Sequence, residues 1–302
     1  MIERKPDADL EIKRAAQLSI TEITLGSIGH AFKIPFTGQI LSLNQLGFML
    51  NALNKDSLPI ASTFEISSIS TVLKSFSPAG QKLGPMLSIA MQGFLFWFFC
   101  FLGQAHLIGQ IIGAIFMALW SFVQPLITYF IIYGFDLINV AEFYEKRMRQ
   151  DYSVLHKSIL IAVGLFILLK LFVAVSLVIY SVITKKEIKL IKQDKLHSLT
   201  SGAFEKSNLS PWKAAFKDLF RPLFISSFIL MIVFIWQIES SSSQKIWMAL
   251  RPLAVAYLVF YLLRSPWTAK KLGTLSKKSK FFNRVYTKSK AALALVARKK
   301  ES

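Results

Sequence analysis

Residues 158–184 read SILIAVGLFILLKLFVAVSLVIYSVIT, a long run in which nearly every side chain is apolar. A helix that crosses the hydrocarbon core of a bilayer needs about 20 such residues. Two lysines, Lys185 and Lys186, follow the run directly. The stretch therefore predicts a membrane-spanning helix that ends at a basic membrane surface.

Other parts of the chain repeat this pattern with varying strength. Residues 85–103 and 107–134 are equally apolar, and residues 222–238 and 246–263 predict a hairpin of two spans around the polar loop ESSSSQK. Three earlier segments are less apolar, and they predict either spans that line a polar interior or amphipathic helices on the membrane surface. These weaker segments are 15–32, 39–53 and 58–76.

The charge of the chain is unevenly distributed. The 302 residues are 53% hydrophobic and carry 36 Lys+Arg against 17 Asp+Glu, a net charge of +19. Residues 1–183 hold 13 basic and 11 acidic residues, whereas residues 184–302 hold 23 and 6. Loops rich in Lys and Arg stay in the cytoplasm. We therefore predict that the two basic stretches, 185–221 and 264–302, are cytoplasmic.

Together these patterns predict an all-α, polytopic transmembrane helical bundle of about eight spans, six plus two, with both ends cytoplasmic. The predicted divisions are a six-span membrane domain, a basic cytoplasmic linker, a two-span hairpin and a basic amphipathic tail. Their boundaries are 1–184, 185–220, 221–264 and 265–302. The predicted location is the bacterial inner membrane, which the chain crosses several times.

Sequence signatures of common enzyme sites are missing from the chain. It contains no GxxxxGK[ST] phosphate loop, no HExxH or CxxC metal motif and no GxSxG nucleophile elbow. The single Cys100 excludes a disulfide scaffold, and the four histidines are scattered. We therefore expect no enzyme activity, no metal and no cofactor, although a membrane enzyme with unfamiliar spacing remains a third alternative.

Polar residues recur inside the weaker spans. Glu22 lies midway along the first, Asn44 and Gln45 open the second after a Pro- and Gly-containing loop, and Gln92 lies in the fourth. Such groups are costly at membrane depth, so they face a cavity or each other. We predict that these four residues line a pocket for a small solute. Hydrogen bonding between helices that only holds the bundle together is the alternative.

Two further features concern the fifth span. Pro125 lies within it and has no N–H, so it predicts a backbone carbonyl without its helical donor. Gly109 and Gly113 are spaced to let another backbone approach closely.

Residues 11–184 resemble the S component, the substrate-binding membrane subunit, of energy-coupling factor transporters. The resemblance lies in the segment IPFTGQILSLNQ at residues 34–45, in SPAGQKLGP at 77–85 and in Met91-Gln92-Gly93. It implies six helices that bind a vitamin-like nutrient, together with a coupling subunit and ATPases as partners. The chain departs from the family in the 118 residues that follow, and in Ala15-x-x-x-Ser19, which only approximates the coupling motif Ala-x-x-x-Ala.

The basic tail has the pattern of an amphipathic helix. Apolar residues recur on one face, and lysines and arginines fill much of the remainder. Beside a membrane span, such a helix is expected to lie on the anionic cytoplasmic leaflet, where each basic side chain contributes about 1 kcal/mol. Nucleic acid is the less favoured polyanion. The residues predicted to bind lipid are Lys277, Lys278, Lys280, Arg284 and Lys288.

The leading hypothesis from the sequence is therefore a membrane protein that binds and helps import a small nutrient. The alternative is a non-transporting membrane anchor or scaffold whose basic tail binds anionic lipid or a partner.

Overall fold

The structure is a computed structural model that describes residues 6–32, 34–75, 83–133, 153–191, 210–220, 222–237 and 241–297. Within these ranges the chain is all helical and has no strand, as predicted. Most of the loop between the fifth and sixth predicted spans and half of the basic linker 185–220 lie outside the described residues. So does most of the segment 77–85 on which part of the resemblance rests.

The helices coincide with the predicted apolar segments and with the amphipathic tail. Four of them begin at a proline, a residue that suits the first helical position because its missing N–H has no partner there in any case. In chain order they are α1 (Pro6–Ala31), α2 (Thr37–Leu50), a π-helical turn (Asn51–Lys55), α3 (Ile60–Lys74), α4 (Leu83–Leu102), α5 (Leu107–Tyr133), α6 (Ser153–Thr184), α7 (Pro211–Leu219), α8 (Pro222–Gln237), α9 (Ser242–Arg264), α10 (Pro266–Lys278) and α11 (Lys280–Ala297).

Among the described residues, three helical segments are long and apolar enough to cross a membrane: Gly84–Leu102, Leu107–Ile127 and Ser158–Thr184. The last spans roughly 40 Å at the helical rise of 1.5 Å per residue, which exceeds the hydrocarbon thickness of about 30 Å. Only 11% of its most apolar window is buried inside the protein. An apolar helix with so little covered surface is suited to contact with lipid.

The other five predicted spans are helical but are not among these three. Segments 15–32, 39–53 and 58–76 correspond to α1, α2 with its π-helical turn, and α3. Segments 222–238 and 246–263 correspond to α8 and α9. The count of eight spans and the cytoplasmic position of both ends stay predictions.

The chain forms two compact units. The first comprises Met1–Thr37, Glu65–Met86 and Ile191–Ser302, and the second comprises Gly38–Phe64 and Leu87–Leu190. The first unit thus draws on both ends of the chain, whereas the predicted domains follow one another along it. Those domain boundaries stay a prediction.

The second unit is a helical bundle built around two of the apolar helices. Helices α5 and α6 pack along each other, and α6 also contacts the π-helical turn. The core includes Met49 of α2, Phe96 of α4, Met117 of α5 and Val178 of α6, all nearly inaccessible. Four helices therefore contribute side chains to one apolar core.

Two glycines in α5 permit a close approach to α4. A β-carbon on Gly109 would lie 2.9 Å from the Cα of Gly103, and one on Gly113 would lie 3.1 Å from the carbonyl oxygen of Phe96. Only hydrogen fits at such distances, so a larger residue would force the helices apart. The predicted role of the Gly109 and Gly113 spacing in close packing is confirmed.

The first unit joins the N-terminal helix to the C-terminal part of the chain. Helix α11 packs on α1 and on α10, and its side chains Val285, Ala292 and Val296 are buried. Helices α7, α8 and α9 pack together around Phe224 and Phe260. The apolar face that the tail sequence predicts is therefore covered by protein along much of α11.

Candidate solute-binding site

The candidate site in the second unit begins at a proline. Pro125 lies inside α5 and has no N–H, so the carbonyl four residues earlier, at Ser121, loses its usual helical donor. The side-chain amide of Gln39, near the start of α2, donates from Nε2 to that carbonyl at 3.3 Å. The freed carbonyl that the sequence predicts thus receives its hydrogen bond from another helix.

The same glutamine contacts the ammonium group of Lys170, near the middle of the span Ser158–Thr184. Lys170 is 3% exposed. Its Nζ donates to Oε1 of Gln39 at 2.5 Å, to the hydroxyl of Ser121, and to the carbonyl oxygen of Ala118 at 3.3 Å. Helices α2, α5 and α6 therefore converge on one lysine side chain.

Ser121 completes the cluster. Its hydroxyl lies 2.5 Å from Oε1 of Gln39 and 2.7 Å from the carbonyl oxygen of Ala118. The ring of Phe122 lies beside the lysine, with its centroid 5.0 Å from Nζ. We call Gln39, Ser121 and Lys170 the Lys170 cluster.

Lys170 has no carboxylate partner in the part of the chain that the structure describes. All its hydrogen-bond acceptors are neutral oxygens, and a charge near the centre of a span costs about 2.5–3.5 kcal/mol on insertion scales. Ionisable residues retained at such a cost commonly mark the path or site of a solute or ion. The cluster is accordingly the strongest candidate site of the second unit.

A second polar network in the same unit satisfies its own groups. Asn54 Nδ2 donates to Gln110 Oε1 at 2.9 Å and to the Ser181 hydroxyl at 3.1 Å, and Gln110 Nε2 donates back to Asn54 Oδ1 at 3.1 Å. Asn51 exchanges two bonds of 2.8 Å with the backbone of Ile188. These amides fasten the π-helical turn to α5 and to the chain after α6, which is a structural role.

Three of the four predicted pocket residues lie in the second unit. Gln45 Nε2 donates to the carbonyl of Ile89 in α4 at 2.9 Å, and Gln92 Nε2 donates to Ser88 within its own helix at 3.0 Å. Asn44 is 3% exposed, and its Nδ2 donates no hydrogen bond to any described residue. Of these three residues, Asn44 alone has a buried donor without a hydrogen-bond partner among the described residues, and a solute could satisfy it.

The fourth predicted pocket residue, Glu22, lies in the first unit. Its Oε2 is 3.9 Å from the Nζ of Lys74, which also donates to the backbone carbonyl of Glu22. Both side chains are almost fully buried. Glu22 therefore has a basic partner inside its own unit, and this ion pair joins α1 to α3.

Two of the predicted lipid-binding residues form ion pairs within the protein. Lys288 Nζ lies 2.6 Å from both Glu11 Oε2 and Glu65 Oε2, and Arg284 lies 3.0 Å from Glu65 Oε1. The side chain of Lys280 is exposed, whereas those of Lys277 and Lys278 in α10 lie outside the described residues. Arg284 is still 57% exposed, so it faces both Glu65 and solvent.

Burial affects the pKa values of Glu11 and Lys288 in this group of charges. Loss of contact with water raises the pKa of Glu11 from 4.5 to about 7, although its bond to Lys288 acts in the opposite direction. The bonds to the two carboxylates raise the pKa of Lys288, despite the opposing effect of burial. The carboxylates therefore keep Lys288 charged.

The sequence interpretation did not single out Gln39, Ser121 or Lys170. A signal was present, because Lys170 is the only Lys, Arg, Asp or Glu in the apolar run 158–184. The carbonyl freed by Pro125 was a second signal, since such a group needs a donor.

No family model, no curated protein and no solved structure matches this chain. The fold and the site define a class of protein: within the described residues it is all helical, three of its helices are suited to crossing a membrane, and one of these contains a buried lysine.

Proposed function

We propose that the protein is a bacterial inner-membrane protein that binds a small solute inside its second unit and helps to import it. The observation that carries this proposal is Lys170, a buried lysine in a lipid-suited helix whose Nζ has only neutral oxygens as hydrogen-bond acceptors among the described residues. A bundle held together for stability alone has no need of such a charge, because an apolar side chain would cost less.

The unpartnered amide of Asn44 supports the same proposal. A buried donor without an acceptor costs about 1–3 kcal/mol, and a bound solute would recover that energy. Gln45 Nε2 and Gln92 Nε2 already donate within the unit, so we assign these two residues to the packing of the helices and not to contact with the solute.

The test is a thermal-unfolding screen of the full-length protein in detergent against vitamins and related small nutrients. A solute at 100 times its Kd should stabilise the native state by about 2.7 kcal/mol. Gln39→Leu should abolish this gain if the solute lies at the Lys170 cluster, and Asn44→Ala should reduce it. Gln92→Leu is the matched control, because it removes a bond that stays within one helix. The proposal fails if no solute stabilises the wild type.

A coupling subunit and ATPases stay proposed partners on the resemblance alone. Ala15 and Ser19, which occupy the positions of the coupling motif, are both fully buried within the first unit. Contact with a coupling subunit through these residues would require α1 to be uncovered. A pull-down of the full-length protein from its native membrane, probed for an ATPase, tests the partnership.

A second candidate function is an anchor or scaffold that binds anionic lipid. It is favoured by the outward face of α11, where Lys280 and Lys290 are exposed and Lys290 Nζ lies 4.5 Å from the ring centroid of Tyr286. Anionic lipid should then stabilise the protein more than zwitterionic lipid. Reversal of both charges, Lys280→Glu with Lys290→Glu, should remove that difference. Lys245→Glu should leave it unchanged, because the loop ESSSSQK joins the two spans of the predicted hairpin and so lies across the membrane from the two cytoplasmic stretches.

A further inference from the structure

We infer that the solute carries a carboxylate group and that Lys170 binds it. This inference rests on the proposed function and adds the chemical class of the solute. Its first support is the charge of the site: Lys170 Nζ is surrounded by oxygens of Gln39, Ser121 and Ala118, none of which carries a full negative charge. In a low-dielectric interior an anion would be attracted far more strongly than in water.

The donors of the cluster converge in a way that suits an anion. Besides the ammonium group, the site holds the hydroxyl of Ser121 as a second donor, whereas Gln39 presents its acceptor Oε1 to Lys170 and donates its amide to the Ser121 carbonyl. Gln39 is also the third residue of α2, a helix of 14 residues with no acidic residue in its first turn. The N-terminal end of a helix carries a partial positive charge that adds to the charge of the lysine.

The longest hydrogen bond of Lys170 Nζ marks the position that an anion would occupy. The contact with Ala118 is 3.3 Å long, whereas the contact with Gln39 is 2.5 Å. A carboxylate oxygen could replace the Ala118 carbonyl at little cost, because charge-assisted bonds are roughly twice as strong as neutral ones.

The start of α2 leaves a way into the cluster. Gln39 is partly exposed, and a β-carbon added to Gly38 would meet nothing within 4 Å. The neighbouring side chain of Ile40 is 58% exposed. On this proposal a solute would meet the partly exposed side chain of Gln39 before it contacts Lys170.

The number of cations selects a carboxylate over a phosphate ester. Phosphate groups carry up to two charges and are typically bound by several cations or by the fork of an arginine. The cluster has one lysine, and no arginine contacts it among the described residues. One positive charge matches one carboxylate.

The test is the thermal unfolding of the full-length protein with acetate, butyrate, hexanoate and benzoate, each paired with its primary amide. Inorganic phosphate and sulfate are added as further probes. At least one carboxylate should stabilise the wild type and bind at least about tenfold more tightly than its amide. A tenfold difference in Kd corresponds to about 1.4 kcal/mol of binding free energy. Lys170→Met should abolish this preference, and Lys170→Arg should retain part of it.

A second variant guards against misfolding of the lysine substitutions. Ser121→Ala removes one hydroxyl from the cluster and should weaken carboxylate binding several-fold while the protein stays folded. Equal binding by amide and carboxylate, or equal binding by phosphate and sulfate, overturns the inference. If only neutral solutes stabilise the protein, the carboxylate inference fails but the proposed function stands. If no solute in either screen stabilises the protein, both the inference and the proposed function fail.

Discussion

Lys170 Nζ lies 2.5 Å from Oε1 of Gln39, a residue 131 positions earlier in the chain. The amide nitrogen Nε2 of the same side chain donates to the Ser121 carbonyl that Pro125 frees, and this bond holds Gln39 in place. A helix-breaking residue in α5 thus positions an acceptor for a buried lysine in α6. This relationship joins the three helices that contribute to the candidate site.

Replacement of the proline tests that relationship. Pro125→Ala restores an N–H that bonds to the Ser121 carbonyl, so α5 should gain up to about 3 kcal/mol of stability. The amide of Gln39 would lose its acceptor, and solute affinity should fall several-fold. Thermal unfolding with and without solute measures both effects. Unchanged affinity would show that Pro125 does not position Gln39.

The buried pair Glu22 and Lys74 predicts a non-additive pair of substitutions. Lys74→Met leaves the carboxylate of Glu22 buried without its partner, which should cost about 3–5 kcal/mol. Adding Glu22→Gln should recover most of this loss, because the uncompensated charge is then gone. A double-mutant cycle on the free energy of unfolding gives the coupling, and simple additivity would contradict the ion pair.

Lys288 should hold α11 on α1. Lys288→Met leaves Glu11 and Glu65 close together without the cation between them, so α11 should detach more often and limited proteolysis should cut it faster. We expect a loss of about 3–5 kcal/mol, as for other buried ion pairs that lose one partner. Lys290→Met is the matched control, since this lysine lies on the same helix with an exposed side chain. Equal proteolysis of the two variants would argue against the role of Lys288.

Glu11 predicts a pH dependence of stability. Its pKa is raised to about 7, so between its ordinary value of 4.5 and about 7 the native state holds a proton that the unfolded chain has released. Stability should therefore fall as the pH rises through that window and become level above it. Glu11→Gln should remove this component of the fall. Unfolding temperatures of both proteins at about pH 5 and about pH 7.5 provide the comparison, and identical slopes would contradict the raised pKa.

The sequence predicts those parts of the structure that depend on local composition. Residues 158–184 are apolar over a length that only a span requires, and Pro125 frees a carbonyl whatever its surroundings. The donor for that carbonyl was not predictable, because Gln39 is 82 residues from Ser121 and only tertiary packing brings them together.

In the tail, too, the local pattern was predictable and the tertiary partner was not. Its periodicity predicts an apolar face that includes Val285 and Val296, and both are buried. The periodicity does not tell what covers that face, since a lipid surface and a protein helix are both apolar partners. Glu11 and Glu65, which pair with Lys288, lie more than 200 residues away in the chain.

The most direct test of the central claim compares two buried lysines that differ in their partners. Lys74 has a carboxylate beside it, and Lys170 has none among the described residues. We predict that Lys74→Met lowers the free energy of unfolding by about 3–5 kcal/mol, whereas Lys170→Met leaves the solute-free protein equally stable or more stable. A loss of similar size in Lys170→Met would show that Lys170 serves the stability of the bundle, and would contradict its assignment to a solute site.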